Sequence, residues 1–179
     1  VAARPPRFPA ADVSYAALDT AVGRLLLATA GGRLVLCAYA AGETEEQAHL
    51  ARVAAAVSPR VLRLARPLDG ARRQVEDYLA GRRHDFDVAT SLAVATPFQR
   101  EVLAGLDATA YGRTTTYGEL AGRIGRPRAS RAVGTALGGN PLCLVLPCHR
   151  VLPAGGGIGG YAGGPAAKEK LLTLEATAG

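Results

Sequence analysis

Apolar and polar positions fall into two regimes along the chain. Up to about residue 40, short β-like runs alternate with turns: Val13 to Leu18, Gly23 to Thr29 and Arg33 to Tyr39, the last two joined through Ala30-Gly31-Gly32. A Gly-Gly pair between apolar runs is a hairpin signal, because a tight two-residue turn needs positive φ. From Glu43 to Val57 the period lengthens. Ala48, Val53, Ala54 and Val57 follow helical spacing, Glu45 and Glu46 stand in the first turn where they oppose the positive end of the helix dipole, and Ser58-Pro59 stops the run. A second helix is expected from Asp69 to Ala80, ended by Gly81, and another strand from His84 to Val88. This half shows no catalytic grouping.

Ala89 to Ala95 reads as a linker, which divides the chain into an N-terminal sheet-and-helix domain, residues 1–90, and a second domain, residues 96–179. The second opens at Thr96-Pro97-Phe98-Gln99. Thr96 can cap a helix, Pro97 suits its first position and Gln99 completes a capping box, so a helix should run to about Asp107. Thr116-Tyr117-Gly118-Glu119 repeats that spacing and opens a short helix closed by Gly125. Pro127 cannot continue it, and Ser130 to Leu137 offers Ala132, Val133 and Ala136 as the apolar stripe of a further helix. Helix, tight turn, helix is the helix-turn-helix plan. A Gly-rich loop, Gly155 to Gly164, encloses Tyr161, and Pro165 starts a last helix carrying Lys168, Leu171, Leu172 and Glu175. No GK[ST] or GxGxxG opens a helix there, so this loop reads as a lid or pocket wall and not as a nucleotide cradle.

Composition narrows the class. At 179 residues and 49% hydrophobic the chain can bury a real core. No apolar run approaches the ~20 residues that cross a bilayer, and Val1 to Pro9 carry Pro and Arg without an apolar signal core, so a cytoplasmic protein with no membrane partner is expected. Three cysteines, Cys37, Cys143 and Cys148, form neither an even disulfide framework nor a CxxC. Cys143, Cys148 and His149 lack a well-spaced fourth ligand, since neither His49 nor His84 has suitable spacing, and no metal is expected. The formal net charge is +6, and from Tyr111 to Arg150 six arginines (113, 123, 126, 128, 131 and 150) face one acid, Glu119. Such clustering favours a polyanionic partner. The helix from Ser130 is unusual for a reader of bases: Ala132, Gly134, Ala136, Gly138 and Gly139 are small, which permits close backbone approach and suits binding through shape and phosphates.

The sharpest chemical signal is Leu146-Pro147-Cys148-His149-Arg150-Val151. A thiol attacks only as thiolate, and at an ordinary pKa near 8.5 only about 3% is ionised at neutral pH. His149 and Arg150 both stand next in sequence to favour the anion, the apolar stretch Leu142 to Leu146 would bury the approach, and Pro147 redirects the backbone.

Taken in order, Thr96-Pro97-Phe98-Gln99, Tyr117-Gly118-Glu119-Leu120-Ala121, Arg131-Ala132-Val133-Gly134, Gly139-Asn140-Pro141, Pro147-Cys148-His149-Arg150-Val151, Gly160-Tyr161-Ala162-Gly163-Gly164 and Lys168-Glu169-Lys170-Leu171-Leu172 resemble the O6-alkylguanine-DNA alkyltransferases, also called methylated-DNA–protein-cysteine methyltransferases. The resemblance is good from Thr96 to about Glu175 and weaker before it. It implies an α/β (α+β) fold: a small ribonuclease H-like sheet with helices, then a mostly helical, winged helix-turn-helix-like domain carrying the active-site Cys. Two departures stand out. Some relatives bind structural zinc in the N-terminal domain, where this chain has only Cys37, His49 and His84, and the usual Pro before the turn Gly is replaced, giving Ala110-Tyr111-Gly112.

The resemblance further implies direct displacement at the alkyl carbon of O6-alkylguanine in double-stranded DNA, without a cofactor and once per molecule, after the base is flipped from the stack. Cys148 would be the nucleophile, His149 its base through a water, Glu175 the group that orients the imidazole, Tyr117 the proton donor to the purine, and Asn140 the brace of the turn before Cys148. Arg131 would fill the gap left by the base, with Thr116, Arg128, Ser130, Ala132 and Gly134 on the DNA. Tyr161, Gly160, Pro147, Val151 and Lys168 would form or support the base pocket. Two other classes differ in chemistry. A lesion-sensing DNA-binding protein would lack the reactive Cys, and a cysteine hydrolase would need an oxyanion hole and would give the basic cluster no purpose. The range of alkyl sizes, action on O4-alkylthymine and contacts between proteins along DNA are left open by the sequence.

Overall fold

The computed structural model describes residues 13–177, and Val1 to Pro9 lie outside the described residues. The alternating runs form β1 (Val13–Thr20), β2 (Gly23–Ala30) and β3 (Arg33–Tyr39), antiparallel in sequence. Gly31 and Gly32, at φ 56° and 75°, turn the chain between β2 and β3. The helix α1 (Glu43–Ala56) lays Leu50 and Val53 on one sheet face, against Leu26, Ala28, Val35 and Leu36. The opposite face, with Leu25, Leu27, Leu34 and Cys37, packs on Val75 and Tyr78 of α2 (Asp69–Leu79) and on Leu142, Leu144 and Leu171 from the C-terminal half. Covering both faces explains why 25–28 and 34–38 are buried throughout and do not alternate.

Two expectations for this half change. A short strand, β4 (Val61–Arg63), pairs parallel with β1 and completes the order β3-β2-β1-β4. The expected strand His84–Val88 does not form. Its side chains take other partners: Asp87 receives Arg83 Nη1 at 3.4 Å, its N–H donates to Gln74 Oε1 at 3.1 Å, Phe86 packs on Tyr78 and His84 stacks on Tyr111 with ring centroids 4.2 Å apart. Sheet bonding begins just afterwards, inside the expected linker, where Leu34 N–H donates to Ala89 O and Ser91 N–H to Leu34 O. Further along β3, Cys37 N–H donates to Pro141 O and Cys143 N–H to Cys37 O, each at 2.7 Å. The free edge of β3 is thus covered by two segments, which removes an unpaired edge and seats the Cys148 segment on the N-terminal sheet.

In the second half, Thr96 and Gln99 form the expected capping box at the start of α3 (Pro97–Ala104). The helix tightens to a 3₁₀ turn at Gly105–Ala108, short of Asp107 as an α-helix; a side chain at Gly105 would meet Leu120 Cδ1 at 2.7 Å, so α4 packs directly against this turn. Thr116 and Glu119 cap α4 (Tyr117–Arg123), and α5 (Ser130–Gly138) follows. β5 (Thr115–Thr116) pairs parallel with β6 (Val151–Leu152), and α6 (Pro165–Ala176) closes the described chain. Val102, Leu103, Leu106, Leu120, Val133 and Leu137 form this half's core, with Cys143 and Cys148 at its margin. The result is a mixed α/β fold with a small sheet and several helices. No described helix is long and apolar enough to cross a membrane.

Candidate active site

Two three-residue turns deliver Cys148. Val145 N–H bonds Cys143 O across Leu144, which sits at φ 69° and is buried, and Cys148 N–H bonds Leu146 O across Pro147, at φ −81° and ψ 62°. The second is the inverse γ geometry, for which the proline ring presets φ, so Pro147 redirects the backbone as expected. The first places a non-glycine residue in a sparsely populated region, held there by the packing of Leu144 into the sheet core. Asn140 ties the two turns: its Oδ1 accepts Leu142 N–H at 2.9 Å and its Nδ2 donates to Leu146 O at 3.0 Å. The same amide also reaches the chemistry, with Nδ2 3.1 Å from Cys148 Sγ.

Behind the cysteine lies a sealed ionic network. Glu175 of α6, 2% exposed, accepts His149 Nε2 at 2.6 Å, Arg150 Nε at 2.9 Å and Nη2 at 3.1 Å, Gly112 N–H at 3.1 Å, and the hydroxyl of Tyr78. Burial alone would raise this carboxyl, but the bonds from His149 and Arg150 hold it at about 2. Burial outweighs the carboxylate contact at His149 and lowers its pKa, so the imidazole rests neutral and the Arg150 guanidinium balances Glu175. An ionised carboxylate only accepts, which fixes the proton of neutral His149 on Nε2 and leaves Nδ1, buried and without a protein partner, as an acceptor. Gly112, at φ 70°, brings its backbone so close that a side chain would meet Glu175 O at 3.1 Å.

This network corrects three expectations. Arg150 does not face the thiol; it is 7% exposed and bound to Glu175 and to Thr109 O at 2.7 Å. The N-terminal half does contribute, through Tyr78, whose hydroxyl also lies 3.3 Å from His149 Nε2. The basic cluster is thinner at the surface than along the sequence, because Arg150 is buried and Arg126, though exposed, pairs with Glu101; Arg113, Arg123, Arg128 and Arg131 are exposed.

Cys148, 5% exposed, opens on a cavity of about 540 Å³ lined by Tyr117, Arg131, Gly134, Thr135, Gly160 and Tyr161, among others. Of the expected pocket residues, Tyr161 and Gly160 line it. Lys168 and Val151 stand behind the wall: the fully buried Lys168 Nζ donates to Val151 O at 2.7 Å and Gly160 O at 3.3 Å, tying the glycine loop to β6. Pro147 instead borders a separate cavity on the far side, with Tyr78, Tyr111 and Arg150. Of the expected DNA contacts, Arg128, Arg131 and Ala132 are exposed, Ser130 is half-buried, Gly134 approaches the Tyr117 ring, and Thr116 caps α4. Thr135, Leu137 and Gly138 extend the lining and were not expected. Tyr39 of β3 was missed as well. Its hydroxyl is 3.3 Å from that of Tyr161, and its ring lies so near the loop that a side chain at Gly163 would meet it at 2.5 Å. No three His, Cys, Asp or Glu side chains among the described residues converge as a metal site.

A buried thiol at the floor of an open cavity, an imidazole–carboxylate pair sealed behind it and an exposed arginine on a helix at the rim define a protein that transfers a group to cysteine. The sequence pattern of the family described as 6-O-methylguanine DNA methyltransferase, DNA binding domain, matches residues 97–177. A methylated-DNA–protein-cysteine methyltransferase of Methanosarcina acetivorans is 50% identical over 105 residues, 59% of this chain and 67% of that one. The crystal structure of the Mycobacterium tuberculosis O6-methylguanine methyltransferase is 36% identical, with a TM-score of 0.79 over 93% of this chain and 94% of its own. A structure of the same Mycobacterium protein in complex with DNA is 35% identical, with a TM-score of 0.79 over 92% of this chain and 94% of its own. The chain belongs to the O6-methylguanine-DNA methyltransferase family.

Proposed function

We propose that this protein repairs alkylated guanine in duplex DNA by moving the alkyl group from guanine O6 to Cys148, once per molecule. The observation that carries the reading is the placement of the Cys148 sulfur on the floor of a cavity beneath the Arg131-bearing helix, with a partnerless His149 nitrogen and its carboxylate behind. A DNA-binding sensor without chemistry has no need of such a pair.

In this reading the Cys148 proton passes through a water to His149 Nδ1, and the imidazolium is stabilised by Glu175. The thiolate attacks the alkyl carbon; the sulfur–carbon bond forms as the carbon–O6 bond breaks. Guanine leaves with a proton from the Tyr117 hydroxyl, and the proton on His149 returns to the Tyr117 phenolate through solvent. The net change is a thioether on Cys148 and an unmodified guanine. A thioether cannot ionise, so the protein does not turn over. No cofactor takes part. Burial raises the Tyr117 pKa, so the phenol keeps its proton until the departing purine takes it. The alkyl carbon is accessible only when the nucleotide leaves the stack, and Arg131 fills the vacated space while Arg128, Ser130, Ala132 and the capped start of α4 at Thr116 meet the backbone.

The finer fold assignments belong to the same proposal: residues 1–90 as a ribonuclease H-like domain that braces Cys148 through β3 and Tyr78, and residues 96–179 as a winged helix-turn-helix-like domain that binds DNA and performs the transfer. A cytoplasmic location is part of the same proposal. Cys148→Ala tests the assignment: it should abolish loss of methyl from O6-methylguanine duplexes and keep binding to them, and a variant that still demethylates would show the wrong nucleophile.

A further inference from the structure

The walls of the Cys148 cavity differ in how they are held. Tyr117 of α4 and Gly134 and Leu137 of α5 line it from helices whose Leu120, Val133 and Ala136 are buried in the core. Gly160, Tyr161 and Ala162 line it from the glycine loop. Seven of the ten residues from Gly155 to Gly164 are glycine, the residue with the most backbone freedom to lose, and no residue from 154 to 164 is buried. The loop cannot hold its shape by packing of its own.

Two side chains from outside tie it down. Lys168 Nζ donates to Gly160 O at 3.3 Å. Tyr39, from the N-terminal sheet, holds the next three residues. Its hydroxyl donates to the Tyr161 hydroxyl at 3.3 Å, the two rings meet edge to face with centroids 5.4 Å apart, and its ring fills the space that a side chain at Gly163 would need. Tyr39 is itself fixed: Leu25 of β2 stands opposite it in register, and its carbonyl accepts His49 Nε2 at 3.1 Å. The same strand carries the thiol segment. Cys37, two residues earlier and on the same side of β3, makes the backbone bonds to Pro141 and Cys143. One rigid strand thus sets the place of both the cysteine and the loop facing it.

We propose that Tyr39 is a positioning residue for substrate binding: it holds Tyr161 and the glycine loop where an alkylguanine can lie between them and the α4 and α5 wall above Cys148. This rests on the alkyl-transfer reading of Cys148. Tyr39 does not line the cavity, so it acts through Tyr161. Without it the incoming base must order a glycine-rich segment as it binds, and that cost falls on affinity. The chemical step, which belongs to Cys148, His149 and Tyr117, keeps its rate once the base is bound.

The test is single-turnover benzyl transfer from free O6-benzylguanine, followed as mass gain on the protein over a range of concentrations. Tyr39→Phe keeps the ring and loses the hydroxyl bond; its half-saturating concentration should rise about fivefold. Tyr39→Ala loses the ring contacts as well and should raise it about twentyfold or more. In both, the rate at saturation and the fraction of protein that reacts should match the unmodified protein, which a general loss of folding would not allow. Should alanine prevent folding, the phenylalanine variant carries the test. A folded Tyr39→Phe with an unchanged half-saturating concentration, or one whose loss falls on the saturating rate, would overturn the proposal. An unmodified protein that takes up no alkyl group would instead defeat the transfer reading on which it rests.

Discussion

Glu175→Gln isolates the buried network. The carboxylate accepts from His149, Arg150, Gly112 and Tyr78; a glutamine offers one carbonyl oxygen and turns an amide against donors, leaving Arg150 without a counter-charge. Removing one partner of a buried ion pair costs about 3–5 kcal/mol. The depressed acidity gives an independent figure, since a carboxyl held at about 2 against its ordinary 4.5 contributes about 3 kcal/mol of folding stability. The two figures describe one network and do not add. The sign follows from the lowered folded pKa: the contribution is complete above pH 4.5 and disappears as pH falls toward 2. Urea unfolding at pH 7 should show Glu175→Gln less stable by about 3 kcal/mol or more, with an alkyl-transfer rate that falls too because His149 loses its orienting partner. In an acid series the unmodified protein should lose stability through that window, and the variant should change less. A variant within about 1 kcal/mol of the unmodified protein at pH 7 would refute the reasoning, since it would mean that the network is not held as described.

Tyr78→Phe removes one donor to the same carboxylate from a residue far from the cysteine in sequence; a loss of about 1.5–3 kcal/mol in urea unfolding is expected, and an unchanged midpoint would contradict the contact. Arg131→Ala should slow repair of an O6-methylguanine duplex far more than reaction with free O6-benzylguanine, because only the duplex needs a space filled; equal losses in the two rate measurements would count against flipping.

The elements with strong local signals were legible. The Gly31-Gly32 turn, the capping boxes at Thr96 and Thr116 and the proline turn before Cys148 rest on residues that dictate their own backbone. His84 to Val88 had strand-like composition, but a strand needs a partner edge, and stacking on Tyr111 and bonding to Gln74 satisfied this segment first. The candidate site was legible for a similar reason, since Pro147-Cys148-His149-Arg150 are adjacent in the chain. Their directions were not. Nothing local says that Arg150 turns inward to Glu175, and the link from Tyr78 to Glu175 spans 97 residues. Tyr39 escaped for the same cause: β3 brings its hydroxyl to that of Tyr161 across 122 residues of sequence. Charge counted along the sequence overstated the basic surface because Arg150 is buried against Glu175 and Glu101 offsets the exposed Arg126.

The most direct measurement is the mass of the intact protein after incubation with duplex DNA containing O6-methylguanine, followed by peptide mapping. The account predicts a gain of one methyl group per chain, located on Cys148, with the DNA restored to guanine in equal amount. Methyl loss from the DNA without a matching gain on Cys148, or repair of several lesions by one protein molecule, would contradict it.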